Sequence, residues 1–355
     1  MQTGVLLQTY RREVELIYTD FFTTWEDRAK RAGNIPREMI RKFANLFPKG
    51  KLFRGALTVL GYELAGDKKD QDILRASLLV EVLHTALLIA DDVFDNDDLR
   101  RGEPAVHKQW EKHFTSMSAE TQKTQGQNMA FNTTIVGLYL APLVFEGTKF
   151  SPETKLTALS YFFKKSIQTG WGEALDIVSP YQTLEKKRAQ SQKIHDYKTV
   201  EYSGVLPLHL GALLAGKTDQ NWLAKLDEYG ECLGRIFQIQ DDIIGSFGNK
   251  TVTGKADDGD IRQAKWTMLL DILFETAESS ELTQVKALLE KDSRSEEDIV
   301  FIKSIMVKYG IVEKAKTMAE DYLKKGLALI SEITQDKEYQ DTMENTLGFM
   351  LEREK

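Results

Sequence analysis

The sequence is short of cysteine, of proline and of basic charge, and each shortage closes off a class of protein. A single cysteine, Cys232, leaves no internal disulfide framework and no cysteine-rich metal site, so a reducing compartment, and with it a cytoplasmic location, is the expectation. Proline occurs 7 times in 355 residues. Average usage is about 5%, so the shortage favours long uninterrupted helices over many short strands and turns. Lysine and arginine number 47 against 54 aspartates and glutamates, a net charge of −7. A general nucleic-acid-binding role needs a basic face and is not expected. Residues 1–16 lack the basic-then-apolar layout of a secretory signal. The uncharged stretch 124–145 contains Gln125, Gln127, Asn128, Asn132, Thr133 and Thr134, so a buried core helix is expected there and no stable membrane insertion.

What is present is helix after helix. Residues 75–95 carry Leu78, Leu79, Val82, Leu83, Ile89 and Ala90, apolar on nearly every side, as suits a helix buried inside a bundle. Residues 226–244 repeat that character, and 267–274, 300–307 and 318–330 show helical spacing as well. Charged, turn-prone joints fall near 66–72, 147–153, 179–193, 248–259 and 293–297. None has the Pro/Gly/Ser bias of an interdomain linker. The expectation is one all-α domain over residues 1–355, a bundle of long helices around a central cavity.

Two acidic clusters break a local rule. A helix C-terminus carries partial negative charge and prefers lysine or arginine. The run Asp91-Asp92-Val93-Phe94-Asp95 instead closes a strongly apolar helix with carboxylates. Asp91 and Asp95, four apart, lie about 40° from each other around the helix axis and project from one face. Asp241-Asp242 closes the second apolar helix in the same way. Carboxylates this close repel unless a cation sits among them, and hard oxygen ligands at this density suit Mg²⁺, which takes one or two carboxylates and completes its shell with water and phosphates. One such cluster alone reads as an acidic surface turn; two of them on apolar helices read as metal binding.

Basic residues complete the pattern. Gly50-Lys51-Leu52-Phe53-Arg54 places Lys51 and Arg54 three apart at a helix start, where backbone N–H groups also favour anions. Arg100 and Arg101 follow the first acidic cluster, and Lys198, Lys255 and Lys265 supply further cations. Each reads singly as solvated surface charge. Together they describe a site for diphosphates, one bridged to aspartates by Mg²⁺ and another clamped by lysine and arginine.

At this point the chain resembles the trans-isoprenyl diphosphate synthases, the polyprenyl synthetase family. Asp91-Asp92-Val93-Phe94-Asp95 matches the first aspartate-rich motif and is followed by Leu99-Arg100-Arg101-Gly102. Gly50-Lys51-Leu52-Phe53-Arg54 matches the GKxxR element, and Lys198-Thr199 the lysine–threonine pair. Phe237-Gln238-Ile239-Gln240-Asp241-Asp242 resembles the second aspartate-rich motif, and Thr253-Gly254-Lys255 with Asp260, Ile261 and Lys265 the segment after it. There are departures. Gly245 stands where the second motif often has its third aspartate. Glu173, ahead of the matched Asp176, stands where glutamine is common, and His84 where farnesyl-type members have glutamine.

The resemblance implies an all-α isoprenoid-synthase fold, a homodimer, and condensation of isopentenyl diphosphate with an allylic diphosphate. It implies Mg²⁺ on Asp91, Asp95 and Asp241, with Asp92 and Asp242 in support, and Arg100, Lys198 and Lys255 on the allylic leaving group. Lys265 belongs to the same basic set. Isopentenyl diphosphate would take Lys51, Arg54, Arg101 and His84. Thr199, Gln238 and Asp176 would face the carbocation. Ala86 and Leu87, five and four residues before Asp91, are smaller than the aromatic rings that shorter-chain members carry there, which implies a product longer than farnesyl, geranylgeranyl diphosphate first, with a farnesyl diphosphate synthase or a longer polyprenyl synthase as the alternatives; Leu83, Met129 or Phe131 could set a deeper floor. Ala86 could instead simply pack against a neighbouring helix.

Three other readings compete. Gly211-Ala-Leu-Leu-Ala-Gly216-Lys217-Thr218 has the spacing of an NTPase phosphate loop, but its middle is apolar and continues a helical run. Gly216 is expected as a helix C-cap. A class I terpene cyclase would need a different second metal motif and no pocket of Lys51 and Arg54. A catalytically idle partner subunit would lose an aspartate motif.

Overall fold

The computed structural model describes residues 3–248 and 259–352, and among them the chain is helical apart from one two-stranded hairpin. The described residues sort into two compact units, 4–160 with 210–218, and 161–209 with 219–248 and 259–352.

The first unit is built on the helix Leu78–Phe94, where Leu78, Leu79, Val80, Val82, Ala86 and Ile89 are fully buried. Each large apolar side chain sunk in this way contributes about 1.5–3 kcal/mol. Its start is prepared by the short helix Gln71–Ala76, whose N-cap Asp70 accepts from the N–H groups of Asp72 and Ile73 at 2.9 and 3.0 Å. Its end is a tight cap: Asn96 takes φ +53°, Asn96 N–H donates to Val93 and Asp97 N–H to the Asp92 carbonyl at 2.9 Å. The aromatic rings of Phe22, Phe43 and Phe47 join the helices Thr3–Ala32 and Asn34–Leu46, with centroids 5.8 and 5.1 Å apart around Phe22.

The helix Ala119–Leu140 differs from the buried rod expected at 124–145. One face of small residues, Gly126, Ala130, Thr133, Thr134 and Gly137, is buried, while Ile135, Leu138 and Tyr139 are exposed. The small face exists because neighbours come close: a Cβ on Gly137 would stand 3.0 Å from that of Ala86. By length and apolarity alone, Gln71–Phe94 and Ala119–Phe145 could cross a membrane; 78% and 44% of their apolar windows are buried inside the protein.

In the same unit, Leu210–Leu214 ends the helix Leu206–Leu214, and Gly216 turns out of it at φ +76°. A Cβ on Gly211 would overlap the Thr58 carbonyl, so that glycine serves close helix packing. The residues with phosphate-loop spacing are therefore helix and C-cap.

The second unit is organised on the helix Gln220–Phe247, capped by Asp219 accepting from Asn221 and Trp222. Against it lie the helix Ile311–Ile333 and the π-helical segment Asp196–Val205. Glycines permit the second contact: a Cβ on Gly234 would come 2.7 Å from Val200 Cα, and one on Gly230 would come 3.0 Å from the Gly204 backbone. A further core joins Ile239, Trp266, Leu269, Leu273, Ile302 and Ile311. The joint expected at 179–193 is largely helix, Leu184–His195; only Leu184 and Ile194 are apolar and buried there, so the sequence shows too few apolar positions to reveal the period.

Candidate active site

The sequence-predicted residues fall into two groups, one in each unit. In the first, the helix Leu78–Phe94 delivers Asp91 and Asp92 in its last turn and Asp95 as its C-cap. The chain then makes a hairpin, Leu99–Arg100 paired with Glu103–Pro104. Its two-residue turn, Arg101-Gly102, has φ of +55° and +77°, the geometry of a type I′ turn, which glycine accepts freely and arginine only at a cost of about 1–2 kcal/mol.

The hairpin sends its arginines to different partners. The Arg100 guanidinium pairs with Asp92, reaches Asp91 Oδ2 at 3.1 Å and lies 3.6 Å from Asp97. Arg101 donates to the Leu46 carbonyl at 3.0 Å. Gly50 of the GKxxR element leaves room for it, since a Cβ there would stand 2.9 Å from Arg101 Nη2. Leu52, at φ +54°, caps the helix Phe53–Leu64, so Lys51 leads into its start and Arg54 lies in its first turn.

Burial pushes the Asp92 carboxyl up to about 6 against the pull of Arg100, and its Oδ2 is buried with no hydrogen-bond partner. Burial, reinforced by Arg54, Arg101 and Arg100, holds His84 well below its ordinary value, so the imidazole is neutral at pH 7. Leu83 and Ala86 are buried and Leu87 half-buried; the Ala86 methyl faces Gly137 of the neighbouring helix.

Two residues that sequence reasoning missed brace this group. Glu81, buried, accepts from Gly55 N–H at 2.7 Å; burial pushes its carboxyl up while Arg54 draws it down. Its signal was available, as the one charge in an apolar run between Leu78 and Ala90. Arg11 donates to the Pro48 carbonyl at 2.9 Å and to that of Gly50, which no local pattern announces.

In the second unit, Lys198 projects from the π-helical segment to Glu173 Oε2 at 2.8 Å and Asp176 Oδ2 at 2.7 Å; Thr199 follows it. Both acids lie on the helix Pro152–Val178, beside Gly172, where a Cβ would come 2.7 Å from the Lys198 backbone nitrogen. Lys265 is 3.8 Å from the same Asp176 oxygen. On the helix Gln220–Phe247, Asp241 is exposed and Asp242 buried. Asp242 accepts from Gln238 Nε2 at 2.6 Å and Met268 N–H at 2.7 Å, yet burial still pushes it up to about 7. His195, 4.0 Å from Asp242, is pushed down to about 4 by burial. Asp260, which the sequence reading left without a role, sits beside Gly245, its carboxyl pushed up to about 7 by burial and then by Asp242. Lys255 lies outside the described residues.

Among the described residues no three of His, Cys, Asp and Glu close on one point as a ready cage. The donors fit an ion that asks for little protein: hard carboxylate oxygens, one of them buried and unpaired on Asp92, with arginine close by to balance charge. Mg²⁺ is such an ion, since water and substrate phosphates complete its shell.

The all-α architecture is that of an isoprenyl diphosphate synthase, and known proteins bear that out. A solved geranylgeranyl pyrophosphate synthase from Corynebacterium glutamicum, complexed with isoprenyl diphosphate and magnesium, shares the fold with a TM-score of 0.85 at 24% identity over 98% of each chain. The polyprenyl synthetase family profile matches residues 37–306, and the chain belongs to that family. A short chain isoprenyl diphosphate synthase from Methanothermobacter thermautotrophicus is 26% identical over 90% of this chain and 91% of its own. A geranylgeranyl diphosphate synthase from Saccharolobus solfataricus is 29% identical over 78% and 80%.

Proposed function

We propose that this chain is a Mg²⁺-dependent prenyltransferase that condenses isopentenyl diphosphate with an allylic diphosphate, head to tail, to a product longer than farnesyl, geranylgeranyl diphosphate first. The observation that carries the reading is the family match over residues 37–306, which spans every acidic and basic motif the chemistry calls on. The same match runs through both compact units and supports one synthase domain over 1–355.

In this reading Asp91, Asp95 and Asp241 hold Mg²⁺, with Asp92 and Asp242 supporting the ligand shell. Bound there, the ion supplies Lewis-acid stabilisation of the departing diphosphate as negative charge develops. Arg100, Lys198, Lys255 and Lys265 add charge-assisted contacts to that leaving group. Lys51, Arg54 and Arg101 take the diphosphate of isopentenyl diphosphate, Gly50 leaving space for the guanidinium and neutral His84 adding an N–H donor. Thr199, Gln238 and Asp176 present oxygen dipoles to the carbocation, preplaced where reorganisation in water would cost more. The growing chain runs along the helix Leu78–Phe94.

Exposed apolar side chains on the helix Ala119–Leu140 (Ile135, Leu138 and Tyr139) and at four-residue spacing on the helix Pro152–Val178 (Phe163, Ile167 and Trp171) support a homodimer. The single, buried Cys232 supports a cytoplasmic setting.

The test is product analysis of the purified chain with Mg²⁺, isopentenyl diphosphate and each allylic primer in turn. A C20 diphosphate that requires isopentenyl diphosphate is expected. Hydrocarbon from geranylgeranyl diphosphate alone would point to a cyclase, and no turnover of the isolated chain to an idle partner subunit.

A further inference from the structure

On the helix Gln220–Phe247 the residue that follows Asp241 by four, and so returns to its face, is Gly245. A side chain there would meet the carboxylate of Asp260. A Cβ on Gly245 would overlap Oδ2 of Asp260 and stand 2.9 Å from its Cγ and 3.3 Å from its Oδ1. The carboxylate that the helix lacks at 245 is present in space, delivered by another element.

That element is the helical turn Gly259–Arg262. It is fixed at both levels of structure. Ala264 takes φ +52°, and Lys265 N–H closes back on the Asp260 carbonyl at 3.0 Å. The next side chain, Ile261, is 2% exposed and packs in the core with Ile239 and Leu269. The Asp260 carboxylate is thereby held against the backbone at 245, in electrostatic contact with Asp242, Lys265, Asp241 and Asp176.

We propose that Asp260 is the third carboxylate of the second acidic cluster, occupying the place an aspartate at 245 would fill, and that it positions the water ligands of an ion held by Asp241. The inference rests on the Mg²⁺ reading above. Glycine at 245 is then the partner of Asp260 and not a lost ligand. Asp260 is a positioning residue: its oxygens accept hydrogen bonds from metal-bound water, and a third acid completes the charge that attracts the ion.

The test measures Mg²⁺ binding by calorimetry in the presence of inorganic diphosphate, with melting temperatures in metal-free buffer alongside. Asp260→Asn is expected to weaken the ion about tenfold or more, as loss of an outer-shell carboxylate does, with little change in the metal-free melting temperature. Moving the carboxylate back onto the helix, with Gly245→Asp and Asp260→Gly together, is expected to bind at least about threefold more tightly than Asp260→Gly alone. Asp241→Asn serves as the reference for the reading beneath. Asp260→Asn binding as tightly as wild type, while Asp241→Asn has lost the ion, would overturn the proposal. Unchanged binding in Asp241→Asn would overturn the metal assignment itself. Should Asp260→Asn fail to fold, the exchange decides: a folded double variant that binds no better than Asp260→Gly overturns the proposal as well.

Discussion

Lys198 Nζ sits between Glu173 and Asp176, 2.8 Å from an oxygen of the first and 2.7 Å from an oxygen of the second. Two carboxylates on one ammonium leave that corner with excess negative charge, relieved by Lys265 at 3.8 Å from Asp176. Glutamine at 173 would keep a hydrogen bond to Lys198 and remove one negative charge. Glu173→Gln is therefore expected to lower KM for the allylic diphosphate about fivefold, roughly 1 kcal/mol, with the fold unchanged by circular dichroism. An unchanged or higher KM would contradict this electrostatic account.

Asp91, in the last turn of its helix, and Asp241, within the helix Gln220–Phe247, are accessible carboxylates on helices held by other residues. Asp91→Ala and Asp241→Ala are each expected to cost at least about 10² in kcat with melting temperature preserved, a loss of the size found when a charge-stabilising group is removed. Steady-state turnover with saturating Mg²⁺ reads it, and near-normal turnover in either variant would refute its metal role.

Chain length should respond at Leu87 and not simply at Ala86. The Ala86 methyl is closed in by Gly137, so Ala86→Phe is expected to lose about 1–3 kcal/mol of stability from overpacking. Leu87 is half-buried, and Leu87→Phe should fold and shorten the product. Thermal melts and product chromatography separate the two; an unchanged product from a folded Leu87→Phe would remove this residue from the ruler.

The buried Asp242 gives a pH signature in metal-free protein. Its carboxyl is raised by burial, and by Asp241 and Asp271, from 3.8 to about 7, against hydrogen bonds from Met268 and Gln238. Asp260 and His195 are further ionisable neighbours among the described residues. A raised acid contributes stability below its unfolded value and loses it as pH climbs through the folded one. Relative to Asp242→Asn, wild type should therefore lose melting temperature between pH 4 and about 7. His195, held near 4 in the fold, works in the opposite sense in both proteins. Parallel melting curves across that range would rule the titration out.

Much of this was legible in the residues alone, for reasons that are local. The helix closing on Asp91-Asp92, the arginines after it, the helix start at Arg54 and the cap at Gly216 all announce themselves over a few positions. The helix carrying Asp241-Asp242 instead runs on to Phe247, past the end its acidic pair suggested. What escaped is non-local or weakly patterned. Glu81 against Gly55, Arg11 against Pro48 and Asp260 over Gly245 join residues far apart in the chain, and no spacing rule connects them. The helix Leu184–His195 has too few apolar positions to show a period. The helix Ala119–Leu140 looked buried because apolarity does not distinguish a core face from an exposed one.

The Arg101-Gly102 turn has a practical corollary. With only two residues at its tip, the hairpin couples Arg100, tied to the aspartates, to Arg101, tied to the Leu46 carbonyl. Lengthening it by even one residue would reverse which way its side chains point. An engineer who wished to retune one arginine through the loop would disturb the other in the same stroke. Variation in this enzyme is thus easier to graft onto neighbouring helices than onto the loop itself.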